Sequence, residues 1–236
     1  MSILQVKLNN MSNNLKNLYY RATKNNPSSN IYREWRTRND VVIDFFKKIE
    51  DKFHCKVLEI GAGRGFMTKF LSDLGFDIVG SDFNPHNLEM AREINGIKLK
   101  MLDAIHISEP DCRYNIVLAV ELIEHLEDIM PNILEVKRIL RPDGLYLITT
   151  PNKYIEKIYN TLLRKKKDPF HISLQTHKTL KKKLISAGFA VKFLKMKSFT
   201  ISQQEKIGKV ARFIPLNYLP KILQPTIVCV AMKKNV

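Results

Sequence analysis

The chain has 236 residues, 44% of them hydrophobic, and a formal net charge of +16. That apolar fraction is enough to build a core, so a wholly disordered chain is excluded, and no apolar run reaches the roughly 18 residues of a membrane span. The Asn-rich start has no apolar signal segment, and the three cysteines form no paired motif, so we expect a reducing, cytoplasmic location.

The first 50 residues predict a helical extension. Residues 1–30 are polar and interrupted, with one short helix predicted over residues 15–22. From Glu34 to Ile49, apolar residues recur at three- and four-residue spacings, which is typical of an amphipathic helix. We therefore expect residues 1–50 to form a helical lid, to which Trp35 and Arg38 belong.

Strands and helices then alternate. Short apolar runs predict strands at Lys56–Ile60, Asp77–Ser81, Ile97–Leu102, Tyr114–Val120 and Leu145–Thr149, and helical patterns lie at Phe66–Leu74, Pro85–Ile94 and Leu122–Leu140. This spacing is typical of βαβ units and predicts a parallel sheet with helices on both faces.

The sequence becomes strongly basic after Pro151. Residues 151–200 hold 13 Lys or Arg against two acidic residues, a net charge of +11. This charge predicts contact with RNA phosphates or with an anionic membrane, although a solvated lysine surface explains it equally well. The apolar run Leu216–Leu223, which includes Lys221, favours the membrane. A helix at Thr176–Ala187 and strands at Val191–Phe199 and Thr226–Met232 complete the chain.

The glycine-rich stretch after the first strand is the strongest functional signal. Gly61, Gly63 and Gly65 alternate there, which allows a tight turn and close approach to a ligand. Asp82 ends the second predicted strand, where a carboxylate can accept hydrogen bonds from both hydroxyls of a ribose. Asp103 ends the third, where it can accept from an adenine amino group. No Lys-Ser/Thr pair follows the glycines, so a P-loop is excluded, and Glu59 suits a ligand that carries an amino group.

This order of motifs resembles the class I S-adenosylmethionine-dependent methyltransferases over about residues 55–200. The resemblance implies a doubly wound, seven-stranded, mostly parallel α/β sheet of Rossmann-like type, with an antiparallel last strand. It implies a methyltransferase domain at 51–236 with a basic insertion at about 151–190, and S-adenosylmethionine as cofactor, with S-adenosylhomocysteine as product. The implied cofactor-binding residues are Glu59, Gly61, Ala62, Gly63, Gly65, Asp82, Phe83, Asp103, Ala104 and Val120.

A second group of polar residues follows the fourth strand. On a helix Glu121, Glu124 and His125 would share one face. They could bind Mg²⁺ or Mn²⁺, with His171 as a further ligand, and the pattern resembles the metal motif of methyltransferases that modify the 3′-terminal ribose of small RNAs and that of ubiquinone-pathway O-methyltransferases. Alternatively, His125 acts as a metal-free base. In a third interpretation the acids only favour a helix N-terminus.

We therefore predict methyl transfer to an oxygen of a small or amphiphilic acceptor of lipid, quinone or natural-product type. His125, Glu124 and His171 are the predicted catalytic residues. The basic segment would hold the protein at the periphery of a membrane. Two alternatives stay open, a metal-dependent RNA ribose 2′-O-methyltransferase and a non-catalytic cofactor-binding module.

Overall fold

The computed structural model describes residues 39–162, 169–196 and 219–235. Several predictions fall outside these ranges: most of the N-terminal lid with Trp35 and Arg38, the basic cluster 164–167, and the first part of the apolar run at 216–223. Among the described residues, no helix combines the length and the apolarity needed to cross a bilayer.

The described elements alternate as the sequence predicts. In chain order they are α1 (Asp40–Lys47), β1 (Lys56–Ile60), α2 (Phe66–Asp73), β2 (Asp77–Asp82), α3 (Pro85–Asn95), β3 (Lys100–Met101), β4 (Tyr114–Val120), a 3₁₀ turn (Ile123–His125), α4 (Met130–Ile139), β5 (Leu140–Pro151), α5 (Lys153–Leu162), α6 (His177–Ser186), β6 (Phe189–Leu194), a second 3₁₀ turn (Lys221–Leu223) and β7 (Thr226–Lys233).

These strands form one seven-stranded sheet in the order β3-β2-β1-β4-β5-β7-β6. β1 to β5 are mutually parallel, whereas β7 runs antiparallel to both β5 and β6. The predicted doubly wound sheet with an antiparallel last strand is confirmed. The strand order reverses between β1 and β4, and ligands of open α/β sheets bind at the carboxyl ends of the strands beside such a reversal.

Alternate residues of the central strands enter two separate hydrophobic layers. Leu58 of β1 and Val117 of β4 belong to the layer that α4 and α6 cover, with Ile133 and Leu180 from those helices. Their strand neighbours, Val57 and Ile116 among them, belong to the layer that α1 and α2 cover. Because both faces are buried, the central strands are apolar throughout rather than alternating.

The structure differs from the expectation most clearly after β4. The predicted continuous helix Leu122–Leu140 is wrong: a 3₁₀ turn at Ile123–His125 is followed by a break, and α4 begins only at Met130. Pro131 lies in the first turn of α4, where the missing N–H costs nothing. β5 is longer than predicted, because the strand begins at Leu140 and runs through a register shift opposite Tyr114 and Ile116.

Helix α5 was not predicted. Its residues, Lys153–Leu162, lie in the basic insertion, and the charge of that segment concealed an amphipathic pattern. Asn152 starts the helix by accepting the N–H of Glu156 with its carbonyl. Its side chain also donates to the carbonyls of Ile222 and Gln224 at 2.8 and 2.9 Å. These bonds join the start of α5 to the segment that leads into β7.

Candidate active site

The glycine loop leaves β1 with three residues in the left-handed region: φ is +71° at Gly61, +54° at Gly63 and +74° at Gly65. A Cβ atom on Gly61 would lie 2.7 Å from the Leu122 side chain, so the loop packs directly against the segment after β4. A Cβ on Gly63 would instead meet nothing within 4 Å. The loop is therefore closed on the Leu122 side and open above Gly63, where a ligand can approach the backbone. The Ala62 N–H donates to the Ser81 carbonyl at 2.8 Å, which fixes the loop to β2.

Asp82 ends β2 and holds the loop from the other side. Its Oδ2 accepts the Gly63 N–H at 2.8 Å, and its Oδ1 accepts the Asn84 N–H at 2.9 Å and the Asn87 side-chain amide at 3.1 Å. A carboxylate has about four lone-pair directions, so one stays open toward a ligand. The predicted bidentate hold on two ribose hydroxyls then requires one of the three donors to turn away.

Glu59, on β1 just before the loop, is almost completely buried. Its Oε2 accepts the Thr68 hydroxyl at 2.5 Å. Burial raises the pKa of the Glu59 carboxyl to about 7, the Thr68 hydrogen bond acts against that shift, and the charge of Asp82 adds to it. A carboxyl with this pKa can ionise when a cation arrives beside it.

The remaining predicted cofactor residues lie along the same sheet edge. Asp103 accepts the Ile105 N–H at 3.0 Å, and its side chain is 41% exposed. The Ala104 carbonyl accepts from the buried Asn132 amide at 2.7 Å. Phe83 is 69% exposed directly after Asp82, so its ring is available to a flat ligand. Val120, the last residue of β4, is half-buried.

Glu121 does not share a helix face with Glu124 and His125, so that prediction is wrong. Its φ is +51°, and the turn that follows begins only at Ile123. Glu121 is instead tied to β5: its N–H donates to the Thr149 carbonyl at 3.0 Å, and its Oε1 accepts the Thr149 hydroxyl at 3.1 Å. Among the described residues, the group able to hold a metal ion is Glu124, His125 and His171, whose donor atoms lie within 4.8 Å of one another.

Glu124 is the buried member of this group, at 1% exposure. Its Oε2 accepts the Thr150 hydroxyl at 2.9 Å, and its main-chain carbonyl accepts the Ser173 N–H at 3.0 Å. Its Oε1 is buried with no hydrogen-bond partner. Burial, together with the charge of Glu121, raises the pKa of the Glu124 carboxyl. A buried carboxylate oxygen without a partner costs free energy unless a proton, a cation or a ligand donor satisfies it.

The two histidines lie side by side, with ring centroids 5.3 Å apart. His125 Nδ1 is 3.0 Å from the Phe170 carbonyl, which can only accept, so Nδ1 carries the hydrogen and the neutral ring accepts protons at Nε2. His171 Nδ1 lies 3.1 and 3.2 Å from the two Glu156 carboxylate oxygens and donates to them. Both rings are therefore oriented through Nδ1.

Sequence reasoning missed Glu156, Thr149, Thr150 and Ser173 as parts of this site. Glu156 is one of only two acidic residues between 151 and 200, and an isolated carboxylate in so basic a segment is a signal that could have found it. The other three carry no such signal. Their hydroxyl or backbone groups reach the site only because β5 and the 170–175 segment lie beside the turn after β4.

Comparisons with known proteins identify the family of this chain. The family described as "Methyltransferase domain" matches residues 18–192. Similar curated proteins include the ubiquinone biosynthesis O-methyltransferases of Rickettsia conorii, 30% identical over 47% of this chain and 39% of that protein, and of Rickettsia prowazekii, 30% identical over 55% and 54%. The chain thus matches about half or less of these relatives' length.

Solved structures show the same fold. A SAM-dependent methyltransferase from Archaeoglobus fulgidus has a TM-score of 0.60 at 24% identity, covering 83% of this chain and 94% of that one. The structure of a Haloferax volcanii putative methyltransferase with its Trm112 activator has a TM-score of 0.64 at 14% identity and covers 100% of this chain and 99% of the other. The family match spans more than half of the chain and includes the glycine loop and Asp82, so the chain belongs to the class I S-adenosylmethionine-dependent methyltransferase family.

Proposed function

We propose that the protein transfers a methyl group from S-adenosylmethionine to a hydroxyl oxygen of a small or amphiphilic acceptor. The observation that carries this proposal is the orientation of His125, whose Nδ1 is occupied by the Phe170 carbonyl and whose Nε2 is left to accept a proton. The likeness to ubiquinone biosynthesis O-methyltransferases supports an oxygen acceptor.

The described residues fit S-adenosylmethionine. The open space above Gly63 admits a ligand against the loop backbone, and the open lone pair of Asp82 suits a ribose hydroxyl. Glu59 lies beside the loop, where its carboxylate would balance the charge of an amino group. When bound, S-adenosylmethionine supplies a methyl group already activated by its sulfonium.

The chain's own contribution is alignment and proton removal. The packing of Leu122 against Gly61 sets the His125 turn directly beside the cofactor loop. His125 Nε2 would take the proton of the acceptor's hydroxyl as that oxygen receives the methyl group, which bound S-adenosylmethionine would supply with a neutral thioether as its leaving group. General base catalysis of this kind contributes about 10²–10⁴-fold, and alignment supplies much of the rest.

The same residues fit a divalent ion. Glu124 Oε1 is buried without a partner, and the groups that orient both histidines, a backbone carbonyl and a carboxylate, are those that usually hold metal-binding histidines. Mg²⁺ or Mn²⁺ held by Glu124, His125 and His171 would polarise an acceptor hydroxyl. Loss of stoichiometric Mn²⁺ binding in Glu124→Gln, but not in the exposed control Glu127→Gln, would support a metal-assisted version. Equal Mn²⁺ binding by both variants would leave His125 as the base.

An exposed apolar surface beside the site favours an amphiphilic acceptor. Six large side chains on three adjoining segments are about half exposed or more: Tyr154, Ile158, Phe170, Ile172, Ile222 and Leu223. The bonds from Asn152 to residues 222 and 224 join two of these segments, and the Glu156–His171 pair joins the third. Apolar groups in a basic segment suit an anionic bilayer, so we propose that this surface contacts the membrane from which the acceptor comes.

The catalytic proposal is tested by His125→Asn. The Asn amide can still donate to the Phe170 carbonyl, but it cannot take a proton as Nε2 does. We expect transfer of radiolabelled methyl groups to a membrane-lipid extract to fall at least about 100-fold, and His86→Asn, at an exposed position of α3, to change nothing. Undiminished transfer in His125→Asn would refute the role of His125. Label in RNA and none in lipid would favour the RNA ribose methyltransferase.

The membrane contact is tested by co-sedimentation. We expect binding to phosphatidylglycerol vesicles, little binding to phosphatidylcholine vesicles, and a severalfold loss in the double variant Phe170→Ser, Ile172→Ser. Phe53 is equally exposed but precedes β1, at the opposite edge of the sheet, so Phe53→Ser is the control. Equal losses in both variants would contradict the assignment of this surface.

A further inference from the structure

A cavity of about 640 Å³ lies between α5 and the segment at residues 172–175. This volume is within the range of small-molecule sites, roughly 300–1,000 Å³. The lining combines apolar groups, Ile172 and Leu174, with polar groups, Asn160 and Thr161 among them. A site of this composition suits a ligand with one polar end and one apolar end.

Two lysines give the lining of the cavity its positive charge. Lys153 and Lys157 line it one helical turn apart, and neither has an ion pair among the residues that the structure describes. Glu156 is the acidic residue of the lining, and its two carboxylate oxygens are directed to His171 Nδ1. The carboxylate is directed to the imidazole and pairs with neither lysine, so the two ammonium groups remain as donors for a ligand and the lining keeps a formal charge of +1 with His171 neutral.

The cavity shares its wall with the catalytic cluster. Ser173 lines the cavity and donates its N–H to the Glu124 carbonyl. Glu156 lines the cavity and holds His171, and Ile172 follows His171 directly. The cavity therefore adjoins the Glu124–His125–His171 cluster, with Glu156 and Ser173 in contact with both.

We propose that this cavity binds an anionic group of the methyl acceptor, a carboxylate or a phosphate, through Lys153 and Lys157, and so selects acceptors that carry such a group beside the reacting hydroxyl. The inference rests on the proposed O-methyl transfer, since it names the acceptor's second recognition element. Two ammonium groups on one helix face favour an anion, and the partial exposure of such contacts limits each lysine to a modest share of the selectivity.

The test compares two probes that differ by one anionic group, 3,4-dihydroxybenzoate and catechol. Calorimetric titration of the S-adenosylhomocysteine-loaded protein should show about tenfold tighter binding of the acid. Lys153→Gln and Lys157→Gln should each lower that preference about twofold to fivefold, and the double variant should abolish it. Lys181→Gln, at an exposed position of α6, is the matched control and should retain the preference. Inorganic phosphate as a competitor distinguishes the two anions: displacement of the acid means that a phosphate group also fits, and no displacement restricts the site to carboxylates.

Two results would overturn the inference: equal affinity of the wild type for acid and catechol, or a preference that survives the double lysine substitution. Methyl transfer to each probe, followed as S-adenosylhomocysteine formation from S-adenosylmethionine, separates this failure from that of the proposed function. Transfer to catechol that depends on His125 without any acid preference would leave the proposed function standing. An acid preference that depends on both lysines, with no transfer to either probe, would contradict the O-methyl transfer and retain the anion site.

Discussion

The two halves of the site are built in different ways. The cofactor half is local: Gly61–Gly65 follow one strand, and Asp82 ends the next and receives the Gly63 N–H. The proposed acceptor half is assembled from four segments, with Glu124 and His125 after β4, Thr149 and Thr150 on β5, Glu156 on α5, and His171 in the 170–175 segment. The geometry of the cofactor half therefore depends mainly on backbone conformation, whereas that of the acceptor half depends on contacts between side chains that are far apart in sequence.

The largest expected effect is on the backbone-dominated half. Gly61→Ala places a Cβ against Leu122 and forces a side chain into the left-handed region. We expect the affinity for S-adenosylhomocysteine, measured by calorimetry, to fall at least about 100-fold, or about 3 kcal/mol. Gly96→Ala has a similar φ but no nearby atom, so it should cost only about 1 kcal/mol of stability and leave the affinity unchanged. Failure of Leu122→Ala to restore part of the affinity to Gly61→Ala would show that the clash is not the cause.

An effect of similar or slightly smaller size is expected at Glu59. The pKa of its carboxyl is raised from 4.5 to about 7 in the folded protein, so the folded state favours the protonated form. The free energy of unfolding is therefore highest below about pH 4.5, and this gain is lost as the pH rises through 7. The loss amounts to at most about 3 kcal/mol, at 1.36 kcal/mol per pKa unit. Urea unfolding of the wild type and of Glu59→Gln should therefore diverge between pH 4.5 and 8, with the wild type losing more stability. Asp77→Asn, at an exposed position, is the control, and parallel curves for the wild type and Glu59→Gln would contradict the shift.

The smallest effect is expected in the acceptor half, at Glu156. Glu156→Gln keeps the size of the side chain, but its amide can donate to His171 Nδ1 and so favour the other tautomer. By analogy with residues that orient metal or catalytic histidines, we expect about a tenfold loss of methyl transfer. Long-range ¹⁵N–¹H spectra of the imidazole should show hydrogen on Nδ1 in the wild type and a mixture in the variant. An unchanged spectrum would remove Glu156 from the positioning of His171.

The same contrast explains what the sequence could predict. Strands β1 and β4 are apolar runs buried on both faces, and the glycines after β1 have a conformation that few other residues adopt, so both are visible in a single stretch of chain. The helix predicted from Leu122 to Leu140 fails because the chain becomes extended at Leu126, and the Glu124 carbonyl accepts the N–H of Ser173, a residue far along the chain, instead of an N–H of its own helix. Glu156 and His171 meet only because α5 and the 170–175 segment lie side by side. A periodic pattern within one stretch of sequence does not predict such a contact.

Strand β5 lies between two parts of the chain that differ in their role in the sheet. It is the last parallel strand and also the partner of antiparallel β7, and its Thr149 and Thr150 hold the two acidic residues after β4. The described residues that follow it, 153–162 and 169–174, contribute most of the cavity lining, Glu156 and His171, and none of them belongs to a strand of the sheet. Under the proposed function, exchange of this stretch for another would change the acceptor while the glycine loop, Asp82 and the sheet stay as they are. The residues that would bind the cofactor thus precede β5, and the stretch that would contact the acceptor follows it.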